Sequence, residues 1–106
     1  MKFINLTPHP VSIISTGGMI TTIPSVENPA RVSTVSVKLA VVDGIQIIRQ
    51  KLGNDVENLP DPQDDTLLIV SQVVFEACGD RSDLVFPADF VRNAAGAIIA
   101  CRALSK

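Results

Sequence analysis

The sequence predicts an α+β domain: a β-rich antiparallel sheet, curled or partly closed, with one short helix after its central strand. Hydrophobic residues make up 46% of the 106 positions, but aromatic residues make up only 4%, with no Trp or Tyr. The core must therefore be built from Val, Ile, Leu and Ala, a composition that favours strands. Thr66–Val70 is an uninterrupted apolar and β-branched run of strand length, as expected of a strand buried on both faces. Only after this central strand does the apolar period change from two to three or four.

The short helix is predicted to begin directly after the central strand. Ser71 can accept a hydrogen bond from a free backbone N–H of a first helical turn. Val74, Ala77 and Cys78 have the spacing of residues on one helical face, so we expect them to point into the core. Gly79 is predicted to end the helix.

The N-terminal residues predict a β-meander. The first strand is expected over Phe3–Leu6, and the two prolines of Thr7–Pro10 must interrupt it because proline has no backbone donor. A second strand, Val11–Ser15, and a returning strand, Met19–Ile23, flank Gly17-Gly18, a pair that can adopt the positive φ of a hairpin turn.

The middle of the chain predicts a further strand and a hairpin. Arg31–Val37 fits a strand with one polar face, with a bulge possible. Asp43-Gly44 separates the β-branched runs Lys38–Val42 and Ile45–Lys51, which is the strongest short-range hairpin signal in the chain. Gly53–Asp65 is polar and rich in Asp, Asn and Pro, which predicts a long surface loop.

The C-terminal residues predict a short strand and a closing hairpin. The strand Leu84–Phe86 is expected to stop at Pro87. Phe90–Asn93 and Ala97–Leu104 flank the turn residues Ala94–Gly96. No composition break or internal repeat divides the chain, so residues 1–106 are predicted to form a single domain.

Charge and hydropathy exclude several classes of function. A net charge of −2 and a pI of about 5.1 remove the basic footprint of a general nucleic-acid binder, while leaving room for a local basic pocket that holds one small anion. The residues Met1–Pro8 lack the apolar run of a signal peptide, and the longest apolar stretches are far shorter than a membrane span. The sequence therefore predicts a cytoplasmic protein with neither nucleic-acid polymer nor membrane as partner.

Residues suited to catalysis are scarce, so we predict no enzyme, no metal site and no cofactor. Cys78 and Cys101 lack the spacing of a zinc site and are either free thiols or a disulfide. His9 is the single histidine and lies between prolines in a turn. A cysteine hydrolase that uses either thiol with His9 remains a third function, although no orienting group is evident. The loop carboxylates lack the glycine and distal glutamate of a calcium loop and predict a solvated cluster: Asp61, Asp64 and Asp65.

Residues suited to binding an anionic ligand are better represented. Four arginines fall on predicted strands, where the guanidinium fork is held in place and suits phosphate oxygens: Arg31, Arg49, Arg92 and Arg102. Phe75 lies on the side of the helix opposite Val74 and could stack on a planar base. The alternative is that Phe75 belongs to the core and the arginines are ordinary surface charges.

Four short stretches have a recognisable pattern when taken together: Asn5–His9 after an extended start, Leu59–Pro62, Thr66–Ser71 and the closing Gly96–Ile99. They resemble a group of small proteins carried by phages and prophages, and in particular the first-described Thoeris anti-defence family. The resemblance implies sponges without catalysis, which sequester cyclic ADP-ribose isomers made by bacterial TIR immune enzymes and, in some members, cyclic oligonucleotides. It also implies homo-oligomers, dimers or larger, that hold the ligand at subunit interfaces with an aromatic ring on the base and arginines on the phosphates.

By position in the chain, the resemblance implies Phe75 for stacking and Arg102 for the pyrophosphate, with Arg92 and Asn93 nearby. Arg31 and Arg49 are candidates for a second anion site. The expected function is a phage anti-defence sponge in the cytoplasm of the bacterial host, which binds its cyclic nucleotide without cleaving it. The alternative is a small phage accessory or structural protein that acts by protein–protein contact and has no nucleotide ligand.

Overall fold

The computed structural model describes residues 1–53 and 55–106 in full and, at position 54, only a place within a strand. The described residues form eight strands and one short helix. In chain order they are β1 (Lys2–Asn5), β2 (Val11–Ile14), β3 (Ile20–Ile23), β4 (Arg31–Val42), β5 (Ile45–Glu57), β6 (Thr66–Ile69), α1 (Gln72–Ala77), β7 (Leu84–Arg92) and β8 (Ile98–Ser105).

Six of the strands form one nearly closed, barrel-like sheet in the order β1-β6-β7-β8-β2-β3. Its two end strands approach each other where Asn5 makes a parallel bridge with Ser25, just beyond β3, and where the Val26 N–H donates to the Asn5 carbonyl at 3.1 Å. The prediction of a β-rich, curled or partly closed sheet with one short helix is confirmed.

The prediction of an antiparallel sheet is wrong, because the sheet is mixed. β1 and β7 both run parallel to β6, and β8 runs parallel to β2. For β6 and β7 the reason is the helix: α1 carries the chain back along the sheet after β6, so β7 starts at the same end as β6 and runs in the same direction. Only the hairpin neighbours β2–β3, β4–β5 and β7–β8 pair antiparallel within the described residues.

Asn5 is the polar residue at the closure of the sheet, and it is only 1% exposed. Its Nδ2 donates to the carbonyls of His9, at 2.9 Å, and Ile23, at 3.0 Å. Its Oδ1 accepts from the backbone N–H of Thr7 at 2.9 Å and from the Thr7 hydroxyl at 2.6 Å. Each polar atom of this buried amide is therefore paired, and the side chain joins β1, the loop that follows it and the end of β3.

β6 is buried as predicted. Leu68, Ile69 and Val70 have no solvent exposure. Leu68 and Val70 belong to a cluster with Leu6 and Val74, while Ile69 faces the other side of the sheet because strand side chains alternate.

The helix begins and ends close to the predicted residues. The Val74 N–H donates to the hydroxyl of Ser71 at 3.3 Å, and Cys78 is the C-terminal cap. Val74 is buried and Cys78 half-buried, but the inward placement of Ala77 is wrong. With six residues the helix makes less than two turns, and Ala77 borders an open cleft beside Leu52 instead of the core.

β4 and β5 form a long two-stranded ribbon, which we call the arm. Asp43 and Gly44 have φ values of 51° and 76°, as the predicted two-residue turn requires. The arm is longer than predicted: β5 continues to Glu57, so only residues 58–65 form the polar loop. Val56 pairs with Val32, and both side chains pack against the core. This packing explains why β5 continues past Gly53, where the sequence predicted a loop.

The arm gives the molecule an elongated shape. The principal extents are 56 × 39 × 23 Å and the radius of gyration is 16.9 Å. A compact chain of this length would have a radius of gyration of about 13 Å. Arm residues from Thr34 to Leu52 are all exposed, so beyond its base the arm lies in solvent.

β7 continues through Pro87, contrary to the prediction that the proline ends it. Pro87 pairs with Leu104 of β8, but the pairing between β6 and β7 stops at Val85. The missing N–H of Pro87 therefore faces a side where β7 has no partner, which is where a strand tolerates proline. The closing hairpin is confirmed, with the Asn93 N–H donating to the Ala97 carbonyl at 2.9 Å.

Candidate functional site

Arg102 lines an open cleft of about 390 Å³ at the turn between β2 and β3. Cys101, its neighbour in β8, pairs with Ile13 of β2 and is buried, so Arg102 points to the outer side of the sheet. The other lining residues are Ile14, Ser15, Thr16 and Gly18.

The turn beside Arg102 contains several hydrogen bonds of its own. The Gly18 N–H donates to the Ser15 carbonyl at 2.9 Å, and Gly18 adopts a φ of 86°, which a glycine accepts without strain. The Ser15 hydroxyl accepts from the Met19 N–H at 3.2 Å and keeps its own proton for another acceptor. The cleft thus combines a cation with two hydroxyl groups, those of Ser15 and Thr16.

Arg102 makes no ion pair with the described residues, and this separates it from Arg31 and Arg81. Arg31 pairs with Glu57 across the base of the arm, with Nε at 2.8 Å from Oε2. Arg81 pairs with Asp83. A guanidinium without a carboxylate partner retains its full charge for an external anion.

Phe75 is half-buried and packs against Phe86, with ring centroids 4.8 Å apart and ring planes at 53°. It also lies against the core cluster beneath α1. Part of its ring is therefore occupied within the chain, and a ligand base could contact only the remaining exposed part.

Arg92 and Asn93 lie at the tip of the β7–β8 hairpin and hold its turn together. The Asn93 Oδ1 accepts from the N–H groups of Ala95, at 2.9 Å, and Ala97, at 3.1 Å. Arg92 Nη1 donates to the Gly96 carbonyl at 3.0 Å. The side-chain oxygen of Asn93 is therefore used within the turn. The side-chain nitrogen of Asn93 and most donors of the exposed Arg92 remain available to a ligand.

Arg31 and Arg49 both belong to the arm but lie in different parts of it. Arg31 is at the base, where it lines a cleft of about 290 Å³ with its partner Glu57. Arg49 lies farther out, opposite Val37. The carboxylate of Glu57 neutralises the charge that Arg31 would offer to an anion.

One chain does not gather the six candidate residues into a shared cavity. The cleft of Arg102 and the cleft of Arg31 each contain none of the other five. Phe75 is on α1, whereas Arg92 and Asn93 are at a hairpin tip. Arg102 therefore does not share its cleft with Phe75, Arg92 or Asn93.

Sequence reasoning missed two features. The first is the pair Ser15 and Thr16: Ser15 was placed in a predicted strand and Thr16 was not considered, but both line the cleft of Arg102. Arg81 was also missed: its Nε and Nη2 donate to Asp83, and Nη2 donates to the Pro60 carbonyl at 3.0 Å. This pair lowers the pKa of Asp83, chiefly through the hydrogen bond from Arg81.

Both cysteines are free thiols in the structure. Cys101 is 2% exposed, and burial raises the pKa of its thiol. A buried thiol with a raised pKa carries little thiolate at neutral pH and is a weak nucleophile.

Comparison of the chain with protein-family models, curated proteins and solved structures found no match. Among the described residues, no helix has the length and apolar character needed to cross a bilayer.

Proposed function

We propose that the protein is a phage anti-defence sponge: it captures a cyclic nucleotide of the cyclic ADP-ribose type, or a cyclic oligonucleotide, and does not cleave it. The bound ligand lies between identical subunits. The observation that carries this proposal is Arg102, a cation without an acidic partner among the described residues, set in an open cleft beside two hydroxyl groups.

The chemistry of the cleft suits a phosphate or pyrophosphate. A guanidinium donates two parallel hydrogen bonds to the oxygens of a phosphate, and these charge-assisted bonds are among the strongest in proteins. The hydroxyl groups of Ser15 and Thr16 supply further donors at the same cleft.

The size of the cleft supports a shared site. Clefts that enclose a drug-sized ligand have volumes of about 300–1,000 Å³. The Arg102 cleft, at about 390 Å³, falls near the lower limit and is open to solvent. One protomer therefore covers only part of a cyclic dinucleotide, and a second protomer would cover the rest with residues such as Phe75 or Arg92.

Capture without cleavage fits the environments of Cys101 and His9. Cys101 is buried and its thiol pKa is raised, which disfavours attack on a phosphate or an acyl group. The side chain of His9 is exposed in the loop after β1, and its carbonyl, rather than its ring, is held by Asn5 and Thr7.

Isothermal titration of the purified protein with cyclic ADP-ribose isomers and with cyclic di- and trinucleotides tests the proposal. We expect saturable heat with at least one ligand. Heating the complex and analysing the supernatant by chromatography should return that ligand chemically unchanged. Absence of heat with every member of the panel would reject nucleotide capture, and a cleaved product would reject a sponge.

A second candidate is a phage accessory or structural protein that works by protein contact, and the exposed arm favours it. The arm carries large apolar side chains in solvent, such as Ile45, which is 65% exposed, and Leu52, which is 61% exposed. Surfaces of this kind mark sites of protein–protein contact. This candidate predicts that no nucleotide raises the melting temperature, since only a ligand that binds the native state does so.

A further inference from the structure

The pairing of β4 with β5 gives the arm two chemically different faces. Residues paired across an antiparallel ribbon lie on the same face, and successive pairs alternate between faces. A register shift between Lys38 and Ala40 inserts Leu39, so that Ala40 and Val42 lie on the same face as Val35 and Val37. The apolar face consists of Val35, Val37, Ala40, Val42, Ile45 and Ile47, with Arg49 and Lys51 at its base end. The polar face carries Thr34, Ser36, Lys38, Gln46 and Gln50 among Val41, Ile48 and Leu52.

The apolar face is exposed along its whole length. The exposed fractions of its large side chains are 54% for Val35, 44% for Val37, 55% for Val42, 65% for Ile45 and 44% for Ile47. No described residue outside the arm covers them.

The exposed area matches what one subunit contributes to a stable dimer. From these fractions, the apolar face presents on the order of 400 Å² of apolar surface, the size at which an exposed patch marks an interaction site. A standard interface buries about 800 Å² on each partner, of which roughly 60% is apolar. The polar atoms and side chains at the margins of the arm would supply the remainder.

The charges on the arm favour a second copy as the occupant. The chain has a net charge of −2, but residues 34–52 contain three cations, Lys38, Arg49 and Lys51, and one acid, Asp43. Both cations of the apolar face lie toward the base, whereas Asp43 is in the turn at the tip. If two arms pack antiparallel, Lys51 and Arg49 of each approach the tip and Asp43 of the other. A parallel arrangement would instead oppose like charges.

We propose that the apolar face of the arm packs against the same face of a second copy, with the two arms antiparallel about a two-fold axis. Such an interface needs no other protein, because one patch serves both subunits. The inference rests on the proposed function in one respect: that function requires identical subunits to associate, and the inference names the surface that joins them. It requires no bound nucleotide.

Sedimentation velocity of the ligand-free full chain tests this interface with two variants of neighbouring residues. Ile47→Lys adds a charge to the apolar face, and Gln46→Lys adds the same charge to the polar face. We expect the wild type and Gln46→Lys to be dimers or larger at micromolar concentration, and Ile47→Lys to dissociate with at least a tenfold weaker association. A monomeric wild type overturns the proposal, and so does a wild type that associates only with a different protein. Equal association of the two variants overturns it as well.

A cross-linking experiment keeps the proposal testable if Ile47→Lys fails to fold, which circular dichroism would reveal. In the antiparallel arrangement Ala40 lies near the two-fold axis. Oxidation should therefore link two chains of Ala40→Cys into a dimer and leave Gln46→Cys unlinked, and failure of Ala40→Cys to link overturns the arrangement.

Calorimetry on the same samples separates the two proposals. A wild-type dimer that depends on Ile47 but gives no heat with any nucleotide supports the arm interface and rejects the sponge. If the protein binds a nucleotide but Ile47→Lys does not weaken the association between subunits, the result supports the sponge and rejects the arm interface.

Discussion

The guanidinium of Arg81 and the carboxylate of Asp83 form a two-point ion pair, with Nε 2.8 Å from Oδ1 and Nη2 2.7 Å from Oδ2. Their side chains are only 22% and 12% exposed. Because Arg81 also donates to the Pro60 carbonyl, the pair fixes the loop before β6 to the turn before β7.

This ion pair predicts a loss of stability in acid. The hydrogen bond from Arg81 lowers the pKa of Asp83 below the ordinary value of 3.8, so the unfolded chain binds the proton more readily than the folded chain. The contribution is therefore complete above that value and is lost as the pH falls through the lower pKa of the folded protein.

Urea unfolding of the wild type and Asp83→Asn between pH 6 and pH 2 measures this effect. At pH 6 we expect the variant to be less stable by about 1–3 kcal/mol, because Arg81 loses a charged partner in a partly buried place. The difference should shrink toward pH 2, and a difference that is constant with pH would show that Asp83 does not titrate as described.

Asn5→Ala is expected to destabilise the protein by roughly 3 kcal/mol, since it leaves several buried polar groups of the sheet closure without partners. Ser12→Ala is the matched control, because it removes an exposed hydrogen bond to Thr22 and should change the free energy of unfolding by less than about 0.5 kcal/mol. Denaturant unfolding measures both. Similar small effects in the two variants would mean that Asn5 does not hold the closure together.

Gly53→Ala should destabilise the base of the arm by about 1–2 kcal/mol through steric overlap. A Cβ at position 53 would lie 2.6 Å from the Ser33 hydroxyl oxygen and 3.3 Å from the Ser33 carbonyl oxygen. Adding Ser33→Ala removes the closer atom, so the double variant should recover part of the loss in thermal melts. Gly17→Ala, whose nearest atom is 4.0 Å away, serves as the neutral control.

Arg102→Ala should weaken cyclic nucleotide binding roughly 10- to 100-fold, because charged hydrogen bonds contribute about 1.5–3 kcal/mol. Titration calorimetry would measure the affinity of this variant and of Arg102→Lys, which keeps the charge but loses the fork and should bind at an intermediate level. Lys2→Ala removes one positive charge elsewhere and should bind like the wild type. Undiminished affinity in Arg102→Ala would show that the ligand does not bind in this cleft.

Local signals in the sequence account for the correctly predicted elements. Asp43, Gly44, Gly18 and Gly96 all have positive φ, a conformation that glycine and aspartate adopt more readily than most residues, so three hairpins were predictable. Ser71 likewise marked the start of the helix, because its hydrogen bond is to Val74, only three residues along the chain.

Features that depend on distant residues were not predictable. The parallel pairing of β1 with β6 joins residues far apart in the chain, and the extension of β5 depends on Val32 packing opposite Val56. Pro87 is tolerated only because β6 ends before it. The candidate site has the same character: the sequence singled out Arg102, but its hydroxyl neighbours come from the turn between two other strands.

The pairing of Lys2 with Thr66 also constrains the order of folding. During synthesis the first strand leaves the ribosome long before β6, and we expect it to wait unpaired while the hairpins β2–β3 and β4–β5 form from nearby residues. Docking of β1 would then be a late, slow step that closes the sheet. Pulsed hydrogen exchange during refolding should show protection of the Leu6 amide, which donates to Ile69, only after the hairpin amides are protected.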